Sequence, residues 1–171
     1  MSQIYISIGS NIDKQRHINN GLDALEAAFG ELSVSSVYES ESVGFTGENF
    51  YNLVVGAQTG LPLPEVVKQL KRIEQQNGRK PSSEKFSPRT LDLDLLTYDT
   101  IIASQPAQIP RDEITKNAFV LWPLAEIAPT QVHPVNGLSY QQLWQGYDQQ
   151  TQKLWVVTFN RQLNCTQEKF A

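Results

Sequence analysis

Apolar and polar positions along this chain alternate at two periods, and the changes between them mark its elements. Gln3 to Ile8, with Ile4, Tyr5, Ile6 and Ile8, predicts a first strand ended by Gly9-Ser10-Asn11. Ile18, Leu22, Leu25 and Phe29 then fall on one helical face, with Asn11 or Asp13 as the cap and Gly30 as the stop. Leu32 to Tyr38 predicts a second strand and Phe50 to Thr59 a third. The polar stretch 39–49 between them is longer than a tight hairpin needs. Pro62 and Pro64 bracket a helix start, with Pro64 expected at the first helical position. Val66, Val67, Leu70 and Ile73 supply its apolar face and Gly78 its end.

A second polar loop, Gly78 to Pro88, leads into Leu91-Asp92-Leu93-Asp94-Leu95-Leu96. Strand side chains alternate between faces, so the leucines at 91, 93 and 95 point one way and the two aspartates the other. A short helix is expected after Pro110, followed by the core-like run Phe119 to Leu124. Ser139 caps a short helix reaching Trp144, Lys153 to Phe159 predicts a last strand, and Gln162 to Ala171 is expected to fray. The order β-α-β-β-α-β predicts an α+β fold of the ferredoxin-like, split βαβ kind. Helices would cover a largely antiparallel sheet, with one extra C-terminal strand.

Bulk properties narrow the classes. A chain of 171 residues fits one domain, here 1–171, able to build a core without staples. A net charge of −4 argues against a general nucleic-acid binder. The single cysteine, Cys165, has no internal partner. No apolar run reaches a membrane span and no signal pattern opens the chain, so a cytoplasmic location is expected. Neither a P-loop nor a G-x-G-x-x-G motif occurs. His17 and His133 lie far apart in sequence and are expected on the surface without a role, leaving no basis for a catalytic triad or a zinc site.

The chemistry then rests on Asp92 and Asp94. Two acids at i and i+2 of a strand lie about 6.5–7 Å apart at Cα, which suits shared hard cations. A half-buried strand with a solvated acidic face would show the same alternation. Against that, Asp is disfavoured in strands and two on one face repel each other. Carboxylates combined with substrate phosphates are the common way to hold Mg²⁺. Arg79 and Arg89 have the planar fork suited to phosphate oxygens. The expectation is Mg²⁺-dependent work on a nucleotide.

Pro88-Arg89-Thr90-Leu91-Asp92-Leu93-Asp94-Leu95 resembles the signature of the 6-hydroxymethyl-7,8-dihydropterin pyrophosphokinase family of folate synthesis. The similarity runs from about residue 3 to residue 145. It includes Ile6-Ser7-Ile8-Gly9-Ser10-Asn11, Phe50-Tyr51-Asn52, Arg72-Ile73-Glu74 with Gly78-Arg79, and Phe119 through Pro129. The resemblance implies transfer of pyrophosphate from ATP to the hydroxymethyl group of the pterin, with release of AMP. It implies Asp92 and Asp94 as ligands of two Mg²⁺ ions, and Arg79 and Arg89 beside them as catalytic groups. Val43, Phe50, Asn52 and Phe119 would bind the pterin, and Glu74, Arg79, Arg89 and Arg111 would bind ATP. The partners would be these small molecules, with neither nucleic acid nor membrane, and the protein a monomer.

The chain departs from the family pattern mostly on the nucleotide side. Tyr becomes Phe50, Trp becomes Phe86, and a second Arg after Arg79 becomes Pro81. A Pro-His pair becomes Pro110-Arg111, an Arg becomes Asn117, and a Thr-Pro pair becomes Ser40-Glu41. Lys80, Lys85, Arg111 and Lys116 are the candidate replacements. Two alternatives follow: a pterin-binding homologue with weak or lost kinase activity, and a plain Mg²⁺/nucleotide module with another substrate. The segment from about Gln149 onward has no counterpart in the resemblance.

Overall fold

The structure, a computed structural model, describes residues 1–41, 48–78, 90–150 and 152–161. In chain order it forms β1 (Ser2–Ser10), α1 (Lys14–Phe29), β2 (Ser33–Val34), β3 (Val37–Ser40), β4 (Phe50–Thr59), α2 (Leu63–Gln76) and β5 (Asp92–Tyr98). A 3₁₀ turn (Asp112–Ile114), α3 (Ala118–Ile127), α4 (Tyr140–Gln145) and β6 (Leu154–Val157) follow. The strands lie in the order β5-β1-β4-β3-β6, with β2 also paired to β4. All pairings are antiparallel. β1 and β3 thus run parallel with β4 between them, and β4 and β5 run parallel with β1 between them. That is the interleaved, split βαβ arrangement of an α+β fold.

Both sheet faces are covered, but unequally. Ile4, Ile6, Ile8, Leu53, Val55, Leu93 and Leu95 pack against Ile18, Leu22 and Leu25 of α1 and Val66, Leu70 and Ile73 of α2. On the opposite face Tyr5, Val54 and Leu96 meet Val120, Leu121 and Leu124 of α3 and Tyr140 of α4. The second cluster stops short. Beyond it, Ser7, Gly9, Asn52, Asp92 and Asp94 carry the strand pattern onward with polar or absent side chains, and there the site lies.

Several boundaries differ from the sequence expectation for identifiable reasons. The single strand over 32–38 is two, β2 and β3. Between their pairings with β4, Ser35, Ser36 and Val37 stand opposite only Leu53 and Val54. This is a bulge. Ser35 Oγ accepts from Val54 N at 2.9 Å, and the Glu126 carboxylate accepts from Ser36 N at 3.0 Å and from Tyr38 Oη at 2.6 Å. In α2, Leu63 is the first helical residue and Pro64 the second, with Pro62 at the cap. Asp13 occupies the α1 cap position, yet its side chain makes no cap bond and pairs with Arg16 at 2.7 Å instead. The expected helix after Pro110 is one 3₁₀ turn, the core-like run 119–124 lies inside α3, and the last strand is only four residues.

The histidines are the clearest correction. His17 and His133 are each only 7% exposed, so neither is a surface residue. His17 Nδ1 lies 2.6 Å from the Ile12 carbonyl, tying the start of α1 to the turn before it. His133 Nδ1 accepts from Val135 N and Asn136 N, closing a tight loop, and burial lowers its pKa.

Candidate active site

Gly9 sits at the centre of the open face. It pairs with Asp92 of β5 on one side and with Asn52 of β4 on the other, and Asn52 pairs in turn with Tyr38 of β3. Directly paired residues project to the same face. One residue pair along, Ser7 lies between Asp94 and Val54. Asn52 and Asp92 therefore flank a position with no side chain. A Cβ at Gly9 would lie 3.3 Å from Asn52 Oδ1, so glycine here gives the Asn52 amide its room.

The β4 side is neutral and tightly held. Asn52 is 5% exposed, and its Nδ2 donates to Ser40 Oγ at 2.8 Å. Phe50 pairs with Ser40 across the strands, on the same face as Asn52. Phe119 lies in the first turn of α3, part-buried against the second core cluster. Phe50 and Phe119 are both only partly covered, leaving ring surface accessible.

The β5 side is charged. Arg111 Nη2 approaches Asp94 Oδ1 at 3.4 Å, and Arg111 Nε donates to Glu113 Oε1 at 3.1 Å. The Arg111 backbone N–H also bonds Leu96 O at 2.9 Å, so the residue is tied to β5 twice. Burial and then the charge of Asp92 push the Asp94 carboxyl up to about 7, with Glu113 and Glu74 adding and Arg111 opposing. Burial disfavours the Arg111 charge, but Asp94 and Glu113 outweigh it and raise its pKa.

Two supports behind the site escape sequence patterning. Glu74, 8% exposed on α2, accepts from Leu93 N at 2.8 Å and thereby ties α2 to β5 midway between the two aspartates. Ser10, fully buried, donates to Thr90 O at 2.6 Å and anchors the residue entering β5. Val43, Arg79 and Arg89, with Lys80, Lys85 and Phe86, lie outside the described residues. Of the expected site residues, Phe50, Asn52, Asp92, Asp94, Phe119, Arg111 and Glu74 are all described, at or directly behind the open face.

Among the described residues no group of three or more His, Cys, Asp or Glu is placed to hold a metal. Two carboxylates on an open face fit a different kind of site, one in which substrate phosphates complete the coordination of Mg²⁺. The raised Asp94 pKa is consistent with this, because burial and then the Asp92 charge penalise its carboxylate, and a cation would offset both. Fold and site together describe a small α+β protein whose open sheet face carries a carboxylate pair beside a guanidinium.

Comparison with known proteins gives the family. The profile of 7,8-dihydro-6-hydroxymethylpterin-pyrophosphokinase (HPPK) matches residues 5–129. A 2-amino-4-hydroxy-6-hydroxymethyldihydropteridine pyrophosphokinase of Aquifex aeolicus is 35% identical over 138 residues, which are 79% of this chain and 86% of that protein. The protein of the same name from Synechocystis is 38% identical over 137 residues, 74% of this chain and 70% of that one. The folic acid synthesis protein fol1 of Pneumocystis carinii is 38% identical over 142 residues, but those are only 19% of its length. Wild-type HPPK-DHPS of Plasmodium falciparum shares the fold with a TM-score of 0.63 at 14% identity, over 84% of this chain and 44% of that one. The chain belongs to the HPPK family, the pyrophosphoryl transferases of folate synthesis. No described helix is long and apolar enough to cross a membrane.

Proposed function

We propose that this chain transfers pyrophosphate from ATP to 6-hydroxymethyl-7,8-dihydropterin, with the roles divided along the open face. The observation that carries the reading is the row Asp92–Gly9–Asn52, which sets a carboxylate pair and a buried amide on either side of a bare backbone position. The pterin lies over β4. Asn52 hydrogen-bonds its edge, and Phe50 and Phe119 take its faces, with Val43 as a further pterin-binding residue. ATP lies over β5. Its nucleoside enters the cavity of about 610 Å³ bordered by Ile102, Gln108, Pro110, Arg111 and His133. Glu74 borders that side through its hold on β5.

The pterin hydroxyl oxygen attacks the β-phosphorus of ATP. The bond from that phosphorus to the oxygen bridging the α-phosphate breaks, AMP leaves with that oxygen, and the hydroxyl proton goes to a carboxylate of the Asp92–Asp94 pair. Such transfer depends on positioning and charge stabilisation more than on covalent catalysis by the protein. Asp92 and Asp94 would hold two Mg²⁺ ions, which when bound neutralise phosphate charge. Arg111 adds a fixed guanidinium on the β5 side, and Arg79 and Arg89 supply the family's further positive charge. The net charge of −4 supports small-molecule partners over nucleic acid, and the chain is read as a monomer acting in the cytoplasm.

Purified protein incubated with ATP, Mg²⁺ and the hydroxymethyl pterin should yield AMP and the pterin diphosphate in equal amounts. Pterin binding by calorimetry without AMP release, up to high ATP, would instead mean a homologue that has lost the transfer step. No pterin binding at all would remove the reading.

A further inference from the structure

The segment after the family match, which ends at residue 129, does not stand apart from the site. β6 pairs with β3 and forms the edge of the sheet, and Gln152, just before β6, reaches the start of α3. The first N–H groups of a helix have no partner within it. Asn117, at the α3 cap position, makes no side-chain cap bond. Gln152 Oε1 accepts from Ala118 N at 2.7 Å and so serves one of those groups from outside. Its Nε2 donates to Asn117 Oδ1 at 3.2 Å. Asn117 Nδ2 donates to Glu113 Oε2 at 3.1 Å, Glu113 Oε1 accepts from Arg111 Nε at 3.1 Å, and Arg111 Nη2 stands 3.4 Å from Asp94 Oδ1.

The direction of this chain of contacts is set by chemistry. A carboxylate only accepts, so Glu113 must receive the Asn117 amide N–H, and the Asn117 oxygen must then face Gln152. Gln152 is the group that can satisfy both the Ala118 N–H and that oxygen with one planar amide. Without it, Asn117 can turn away, and Glu113 loses one of the two donors that fix its plane. The guanidinium on Glu113 would then be less firmly aimed at Asp94.

We propose that Gln152 is a positioning residue for the nucleotide side of the site, acting through Asn117 and Glu113 to hold Arg111 at Asp94. The C-terminal segment is in this view a brace for a rebuilt phosphate site. The inference rests on the kinase reading above. It predicts a selective effect, because Asn52, Ser40 and Gly9 lie outside the network.

The test is steady-state kinetics of wild type, Gln152→Ala and Gln152→Glu, each alone and combined with Arg111→Ala. Glu at this position keeps an acceptor for Ala118 N but has no donor for Asn117, so it separates helix capping from the network. Both single variants should raise KM for ATP about three- to tenfold, as expected for one lost hydrogen bond. KM for the pterin should stay within twofold in both variants. In the Arg111→Ala background neither substitution should add a further effect. Equal rises in both KM values, or an undiminished effect without Arg111, would overturn the proposal while leaving the kinase reading standing. If wild type forms no AMP, the kinase reading fails, and the comparison moves to titration with Mg²⁺ and α,β-methylene-ATP. There a three- to tenfold weaker affinity in both variants supports the positioning role, and unchanged affinity, or no binding by wild type, overturns it.

Discussion

The two sides of the open face are built on opposite principles. Over β4, Asn52 and Ser40 form a neutral set, buried and hydrogen-bonded to each other, with the bare Gly9 position of β1 beside them. Over β5, three carboxylates, Asp92, Asp94 and Glu113, face one described guanidinium, Arg111. Among the described residues the neutral side is held by hydrogen bonds already made within the protein. The charged side brings carboxylates together, and burial together with the Asp92 charge raises the Asp94 pKa. A site of this kind discriminates by shape on one side and by charge on the other, so substitutions on the two sides should fail differently.

The largest break comes from the carboxylates. Asp92→Ala or Asp94→Asn should lower kcat by about 10²–10³-fold, the usual effect of removing one group that stabilises transition-state charge. Pterin affinity, measured by calorimetry, should change little in either variant. Asp94→Asn should also raise the melting temperature of the metal-free protein, since it removes a part-buried charge repelled by Asp92. An Asp94→Asn protein with full activity would refute the metal assignment.

Next in size is Asn52→Ala. Truncating a buried hydrogen-bonding group costs about 1–3 kcal/mol. Pterin KM should therefore rise about 5- to 150-fold, with KM for ATP nearly unchanged. A larger loss for ATP than for pterin would reverse the assignment of the two sides.

The charged side was the more legible one in sequence. Asp92 and Asp94 stand out because period-2 alternation exposes them and because two acids on one strand face demand a reason. The element order was legible for the same reason, since the alternating and helical runs are long. The supports were not. Glu74 falls four residues after Leu70 on the apolar face of α2, but its charge suggests solvent, and its bond to Leu93 exists only because α2 packs beside β5. The bulge at Ser35–Val37 depends on Glu126, ninety residues away from Ser36, and no local pattern announces it. The burial of His17 and His133 follows from backbone partners inside their own loops, and composition carries no trace of that. The rearranged nucleotide side was visible as substitutions, but Arg111, Glu113, Asn117 and Gln152 become one network only in three dimensions.

Acidity offers a way to sharpen the contrast without touching the neutral side. The folded protein holds a proton on Asp94 up to about pH 7. The unfolded chain holds it only to about pH 4. Between those values the folded state binds more protons, so the stability from this group is full below the unfolded value and is lost as pH rises through the folded one. His133 works the other way, because burial lowers its pKa. The difference between wild type and Asp94→Asn isolates the carboxylate. In metal-free buffer the melting temperature of wild type should drop against Asp94→Asn by several degrees from pH 5 to pH 8, at about 2–4 °C per kcal/mol. Added Mg²⁺ should recover more of it at pH 8 than at pH 5, since the ion competes with the proton. Parallel curves for the two proteins would show that Asp94 carries no such shift.

The smallest effect expected is at Ser40, and it tests whether the neutral side is truly preorganised. Ser40 Oγ takes the Asn52 Nδ2 bond at 2.8 Å from one side, while Gly9 leaves the Asn52 oxygen its space on the other. Ser40→Ala removes the acceptor but not the space, so Asn52 can still reach the ligand after paying a reorientation of about 0.5–1.5 kcal/mol. Pterin KM should rise about two- to tenfold, with kcat and KM for ATP unchanged. Gly9→Ala does the reverse, keeping the acceptor and pressing on Oδ1, and should also act on pterin KM alone. If Ser40→Ala left pterin KM unaltered while Gly9→Ala raised it, the amide would be oriented by packing against the sheet, and the hydrogen bond from Asn52 to Ser40 would be a consequence of its position instead of the cause.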